Sequence, residues 1–328
     1  MIRNLFNQIK ENKPIFLFLG CYIITRVMKY YNEKESFDAI NQNYQDINDE
    51  EKKIISQLQI YPDNFSRSYA SNKKEKILLI ISGFRDTPKM WENLETILKE
   101  NKIDYVIPRI NGFGRTYFQY NIKWNDWVVS IMEHLSVLQN LYHEVDILGF
   151  STGCNIGFYL SQFKWNCKIN NMIFCSPNFV VNSGDKIYKS LLVLPILSEF
   201  FQIVYPVCHR PYESRLKKSN KSSKKKKFIF YEKNFPLISA IEMWKFQDIL
   251  PTNCCAKKIV IVKANNDKLI GKISLQKEII EKITKENIDV IHIPSDPNSK
   301  ILVGHNITNS SEEILFDFYN QIEILIKR

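Results

Sequence analysis

Gly149-Phe150-Ser151-Thr152-Gly153 is the stretch of this chain whose residue types and spacing suit covalent chemistry. A serine with glycine two positions away on either side fits a sharp turn, where the chain passes close to itself and has no room for a Cβ. G-x-S-x-G is a loose pattern, so its context carries the reading. Val145 to Leu148 runs into it as a strand, and Asn155 to Phe163 continues from it as a helix. Such a turn lifts the hydroxyl to the edge of a sheet. It also sets it beside a helix N-terminus, which favours developing negative charge. The chemistry implied is nucleophilic attack by Ser151; the alternative is a tight turn with an incidental serine. Cys154 lies three residues on, off the apex, and is read as packing rather than as the nucleophile.

The elements that would position this turn follow from hydrophobic patterning. Ile77 to Ile81 (ILLII) is a continuous apolar run, as expected of a strand buried on both faces of a parallel sheet. Ser82-Gly83-Phe84 is a loop. Met90 to Lys99 has helical spacing, with Trp91, Leu94, Ile97 and Leu98 on one side, and Tyr105-Val106-Ile107 is a short strand. Asn111-Gly112-Phe113-Gly114 is a turn. Trp124 to Tyr142 is a long amphipathic helix whose apolar stripe is Trp127, Ile131, Leu135, Leu138 and Leu141. Met172 to Cys175 is a strand ended by Ser176-Pro177. The alternation resumes with a strand at Lys258 to Val262, a helix at Leu275 to Thr284, a strand at Val290 to Ile293 and a helix at Glu312 to Ile326. Alternating strands and helices predict an α/β fold, a mostly parallel central sheet with helices on both faces.

With ILLIISGF, NGFG and the turn at Ser151 in place, the chain resembles the α/β-hydrolase superfamily, in particular its serine esterase and monoacylglycerol-lipase-like members. The resemblance covers roughly residues 76 to 326; residues 1 to 75 lie outside it. It implies a catalytic triad in the chain order serine, acid, histidine. Of the five histidines, His134 and His143 precede Ser151, His209 adjoins a basic tract, and His292 alternates inside a strand, where a structural role is expected. His305, in Val303-Gly304-His305-Asn306, falls between the last strand and the last helix, where the family places its base. Imidazole suits that task because it takes and returns a proton near neutrality. The acid is expected after the strand at Lys258 to Val262. Asp267 in Ala264-Asn265-Asn266-Asp267 fits, and Asp248, Asp289 and Asp296 remain alternatives. The oxyanion hole implied by the resemblance uses two backbone N–H groups, those of Phe84 and Thr152. The family often carries His-Gly where this chain has Ser82-Gly83. Because the donor is backbone, the machinery tolerates that change, though it weakens assignment to any one subfamily. No metal and no cofactor is implied. Trp124, Trp127, Trp165 and Trp244 are read as core packing before any role in lining a lipid pocket.

Composition bounds these readings. The 328 residues carry a formal net charge of +10, and 45 % of them are apolar, ample for a sizeable core. From His209 to Lys233 the chain holds ten Lys and Arg against Glu213 and Glu232, a net of +8, so the remainder is nearly neutral. A basic surface spread over a recognition element is absent, and no specific nucleic-acid partner is expected. Solvation, contact with an anionic membrane surface and a localisation signal are the readings of the tract at 210–227. The seven cysteines (21, 154, 167, 175, 208, 254 and 255) show no C-x-x-C spacing, which points to free thiols in a reducing, intracellular setting. Pro14 to Thr25 is uncharged but short against the roughly 20 residues a spanning helix needs. An interfacial anchor within residues 14–28, a packed helix and an uncleaved signal-anchor stay open.

The organisation expected is an N-terminal apolar segment and polar lead-in at 1–75, with helix near Glu50 to Leu58. The hydrolase core follows in two parts, 76–177 and 251–328, around an inserted lid at 178–250 that carries the basic tract. The function expected is hydrolysis of a carboxylic ester, lipid-like or a small acyl ester, through an acyl-enzyme. An acyltransferase, thioesterase or peptidase with the same triad is the alternative, as is a non-enzymatic, membrane-attached interaction protein. The sequence carries no signal of oligomeric state.

Overall fold

A computed structural model describes residues 66–71, 75–113, 122–180, 207–209, 234–264, 272–285, 288–293 and 312–327. The N-terminal apolar segment, the helix expected near Glu50, the apolar stretch 191–205 and the basic tract lie outside the described residues. No helix among the described residues is long and apolar enough to cross a membrane.

The core is a seven-stranded sheet. Its strands are β1 (Arg67–Tyr69), β2 (Lys76–Ile81), β3 (Tyr105–Ile107), β4 (Glu144–Phe150), β5 (Lys168–Cys175), β8 (Lys258–Ala264) and β9 (Asp289–Ile293). Their order is β1-β3-β2-β4-β5-β8-β9. Among the described residues only β1 runs antiparallel in this sheet, pairing with β3; the other neighbours are parallel. A separate ribbon pairs β6 (Val207–His209) with β7 (Asn234–Pro236), His209 opposite Asn234. The helices are α1 (Glu92–Glu100), α2 (Trp124–Leu141), α3 (Thr152–Leu160), α4 (Leu237–Gln247), α5 (Ile273–Thr284) and α6 (Glu312–Lys327).

The unbroken apolar run of β2 has a physical reason. Successive side chains of a strand point to opposite faces. Ile77, Leu79 and Ile81 enter one core with Trp127, Ile131 and Leu135 of α2, Ile156 and Phe158 of α3 and Phe246 of α4. Leu78 and Ile80 enter the other, with Leu94 and Leu98 of α1 and Phe318, Tyr319 and Ile322 of α6. Both faces are covered, so both alternating sets must be apolar. The burial of each such side chain contributes about 1.5–3 kcal/mol relative to exposure.

One irregularity is built from polar residues. The β4–β5 register shifts between Val145 and Ile147, leaving an extra residue on β5. The carboxylate of Asp146, wholly buried, accepts a hydrogen bond from the backbone N–H of Asn171 at 2.9 Å. Lys76 lies 2.8 Å from the same carboxylate and also donates to the carbonyl of Ile326 at 2.9 Å. Burial raises the Asp146 pKa; the Lys76 ammonium and the Asn171 N–H act against that rise.

Some boundaries differ from the sequence expectation. The helix expected from Met90 opens as a 3-10 turn, Pro88–Trp91, because proline suits a first turn that needs no N–H from it. The helix expected from Asn155 begins at Thr152, directly after Ser151, and ends at Leu160. Leu141, expected in the buried stripe of α2, is 46 % exposed, and the next residue, Tyr142, is the one buried in the core. Within the interval expected as an insertion, α4 packs on the core, with Phe246 buried and stacked on Trp124.

Candidate active site

The sheet itself marks a place for a site. From β2 the chain passes to β3 on one side, then to β4 on the other side of β2. Helix α1 makes the first crossover and α2 the second, on opposite faces. Between β2 and β4 the strand order reverses, and at such a switch point a crevice opens beyond the carboxyl ends of the strands. Ser82-Gly83-Phe84 leaves β2 at this edge, and Ser151 leaves β4.

Ser151 stands alone at the apex between β4 and α3, with φ 52° and ψ −119°. A non-glycine residue in this region is strained by an amount of order 1–3 kcal/mol and persists only where its surroundings hold it. Two hydrogen bonds hold it: Ser151 N–H donates to the carbonyl of Cys175 on β5 at 2.9 Å, and Cys154 N–H donates to the carbonyl of Ser151 at 3.0 Å. The flanking glycines are required by space. A Cβ on Gly153 would sit 2.2 Å from the carbonyl oxygen of Ile81 and 2.7 Å from that of Ser82. A Cβ on Gly149 would sit 2.7 Å from Cα and 2.8 Å from N of Cys154. The first contact shows how closely α3 is pressed to the end of β2, which brings the loop bearing Phe84 beside the turn bearing Ser151 and Thr152.

The loop after β2 is closed by Asp86 N–H donating to the carbonyl of Gly83 at 3.0 Å, with Arg85 at φ 69°. The indole N–H of Trp91 donates to Ser82 Oγ at 3.2 Å. Phe84 is half-buried, and its ring meets Phe113 edge-on at 5.7 Å and Trp127 at 5.7 Å. Arg85, Asp86 and Thr87 are all buried in this loop, although nothing in a polar stretch of sequence signals burial.

Cys154 is fully buried, donates to the carbonyl of Gly149 at 3.1 Å, and has its thiol pKa pushed well up by burial. It is inert packing. Trp127 is buried in the core and Trp124 and Trp165 are partly buried against it, while Trp244 packs on a separate small cluster of Leu237, Ala240 and Ile241.

Asp267 and His305 lie outside the described residues. The elements that precede them are described: β8 ends at Ala264 and β9 at Ile293, at the same edge of the parallel sheet as Ser151. Of the alternative acids, Asp289 opens β9 at the opposite edge, 3.7 Å from Lys258 and largely exposed. Asp248 is exposed just after α4, and Asp296 lies outside the described residues. His134 sits on α2 with Nδ1 2.9 Å from the carbonyl of Ser130; His143 is exposed before β4; His292 is exposed on β9. Among the described residues, no three His, Cys, Asp or Glu side chains gather as a metal site.

A buried amide network beside the turn escaped sequence reasoning. Asn155, one turn along α3 from Ser151, donates through Nδ2 to the carbonyl of Asn178 at 3.0 Å. Gln247 donates through Nε2 to Asn178 Oδ1 at 2.8 Å. The one available signal was a lone asparagine in the otherwise apolar stretch of α3.

No protein-family model matches this sequence, and no curated protein matches it. Solved structures do. A metagenome-derived lipolytic enzyme from work on LipS and LipT is 14 % identical, with TM-score 0.58 over 82 % of this chain and 100 % of its own. A monoacylglycerol lipase of Paleococcus ferrophilus is 10 % identical, with TM-score 0.58 over 80 % and 98 %. The mouse alpha/beta hydrolase domain-containing protein 10 is 13 % identical, with TM-score 0.53 over 80 % and 93 %. At these identities the likeness is one of fold. The chain has the α/β-hydrolase fold.

Proposed function

We propose that this chain, an α/β-hydrolase by fold, is a serine hydrolase that cleaves carboxylic esters through an acyl-enzyme. The observation that carries this reading is Ser151 held at φ 52° between two glycines that admit no Cβ, at the switch point of the sheet. A backbone held in this region around a hydroxyl is a stored cost, and a nucleophile placed at a strand-to-helix turn would account for it.

In the proposed mechanism Ser151 Oγ attacks the ester carbonyl carbon while His305 takes its proton. Asp267 holds the imidazole in the working tautomer and stabilises its charged form. The backbone N–H groups of Phe84 and Thr152 bind the oxyanion, each such donor contributing roughly 3–4 kcal/mol to the transition state. The C–O bond to the alcohol breaks, and His305 returns the proton to that oxygen. Water then attacks the acyl-enzyme carbonyl, gives its proton to His305, and the acid leaves as Ser151 regains its hydrogen. The half-buried Phe84 ring and the aromatic side chains behind it favour an apolar acyl group, in a lipid-like or small acyl ester. An acyl transferase, thioesterase or peptidase would use the same steps with another acceptor or leaving group.

The test is labelling with a fluorescent fluorophosphonate, wild type against Ser151→Ala. Labelling that is lost in the variant supports an activated serine at 151. A folded wild type that does not label refutes the reading.

A further inference from the structure

An oxyanion hole of this kind draws its two donors from elements far apart in the chain, the loop after β2 and the first turn of α3. Their separation must be held to a few tenths of an ångström for both to reach one oxygen. One helix touches the supports of both. Phe246 of α4 stacks on Trp124 at 5.2 Å and meets Trp127 edge-on at 6.5 Å. Trp127 in turn meets Phe84 at 5.7 Å and Phe113 at 5.2 Å. The next residue, Gln247, donates to Asn178 Oδ1 at 2.8 Å, and the carbonyl of Asn178 accepts from Asn155 on α3 at 3.0 Å. Asn178 is also held by Met243, four residues before Gln247, whose sulfur lies 3.7 Å from Asn178 Nδ2. Phe246, Gln247, Asn178 and Asn155 are all buried, so these contacts are sheltered from competing water. The start of α2 is tied to the same helix, Trp124 N–H donating to Glu242 at 3.3 Å.

We propose that α4 sets the spacing between the two oxyanion donors, with Phe246 and Gln247 as positioning residues for the loop of Phe84 and for the helix of Thr152. This inference rests on the serine-hydrolase reading. It assigns a catalytic duty to a helix that falls inside the segment expected to be only a lid.

The test uses the full-length chain with Phe246→Leu, Phe246→Tyr, Gln247→Met and Gln247→Glu, and with Ile322→Val on the opposite face as a stability control. Thermal midpoint, fluorophosphonate labelling rate, and kcat and KM on p-nitrophenyl butyrate are measured for each. Phe246→Leu and Gln247→Met are expected to lower kcat about 10- to 100-fold, the scale of a small misplacement, with KM nearly unchanged. Phe246→Tyr, which keeps the ring, restores most of the loss, and Ile322→Val lowers the midpoint without lowering kcat. Gln247→Glu is nearly isosteric. Its carboxyl can donate to Asn178 when protonated and not when ionised, so its kcat relative to wild type rises as the pH falls. Variants that label and turn over like the control at matched stability, with a flat pH ratio for Gln247→Glu, overturn the inference alone. A wild type that neither labels nor hydrolyses overturns the hydrolase reading and this inference with it.

Discussion

Ser151 and Gly153 divide the work of the turn, and substitutions separate their roles. Ser151→Ala removes one oxygen from a site that stays folded. Ester hydrolysis is expected to fall by about 10⁴-fold or more, as for nucleophile loss in a triad, with an unchanged thermal midpoint. Gly153→Ala would put a methyl 2.2 Å from the carbonyl oxygen of Ile81, a backbone atom that cannot swing away. Here both activity and stability are expected to fall, with the midpoint lowered by several degrees; a variant with wild-type midpoint and labelling would contradict the geometry. Asp146 shows the residue scale away from the turn. Its pKa is raised by burial, so the folded chain holds its proton to higher pH than the unfolded chain does, and the charged carboxylate costs stability at neutral pH. That cost is relieved as the pH falls through the raised folded value. Lys76→Met removes the counter-charge at 2.8 Å. It is expected to destabilise by about 3 kcal/mol at neutral pH, with the gap to wild type narrowing in acid, as followed by urea unfolding. A loss independent of pH would show that Lys76 acts by packing alone. Ser151 and its glycines were legible in the sequence because their spacing is local. Asp146 was not, because its partners come from β2 and β5.

The elements were legible to the extent that burial imposes a period on them. ILLII announced a strand covered on both faces, and Ile80 and Ile81 do face opposite cores. Ile80→Ala is accordingly expected to cost about 2–5 kcal/mol in urea unfolding without changing KM. Element ends were less legible. Leu141 continues the expected stripe yet lies 46 % exposed, while Tyr142, just past the helix, is buried. The start of α3 at Thr152 follows from the turn at Ser151, whose conformation no propensity predicts. Helix α4 was hidden for another reason. Its apolar face is set by Trp124, Trp127 and Asn178, all from other parts of the chain, and its neighbourhood in sequence is dominated by the basic tract.

At the scale of the molecule, the parallel sheet sorts residues by edge. Asp289 opens β9 at the edge away from Ser151, while Asp267 follows the carboxyl end of β8. Asp267→Asn is therefore expected to lower kcat by about 10⁴-fold, the scale of losing the triad acid, and Asp289→Asn to leave it unchanged. Comparable losses from both would remove Asp267 from the proposed triad. The ribbon of β6 and β7 flanks in sequence the residues 210–233, which carry a net charge of +8. We propose contact of this tract with an anionic membrane surface. The full-length protein is expected to pellet with phosphatidylserine vesicles at low salt and to be released at high salt, since each basic residue near such a surface contributes about 1 kcal/mol. Failure to pellet would end that proposal.

By itself the sequence determined what is local or periodic: the alternation of strands and helices, the double-faced burial of β2, and a serine between glycines at a strand-to-helix turn. These are encoded by neighbours within a few residues, where sterics and hydrophobic period act directly. The tertiary structure alone decided which strands are adjacent, and with them the reversal of strand order between β2 and β4. It also decided that the loop of Phe84 meets the helix of Thr152, that a bulge in β5 is closed by Asp146, and that α4 reaches both sides of the site. Those contacts join residues from tens to more than a hundred positions apart, and only packing in three dimensions selects them.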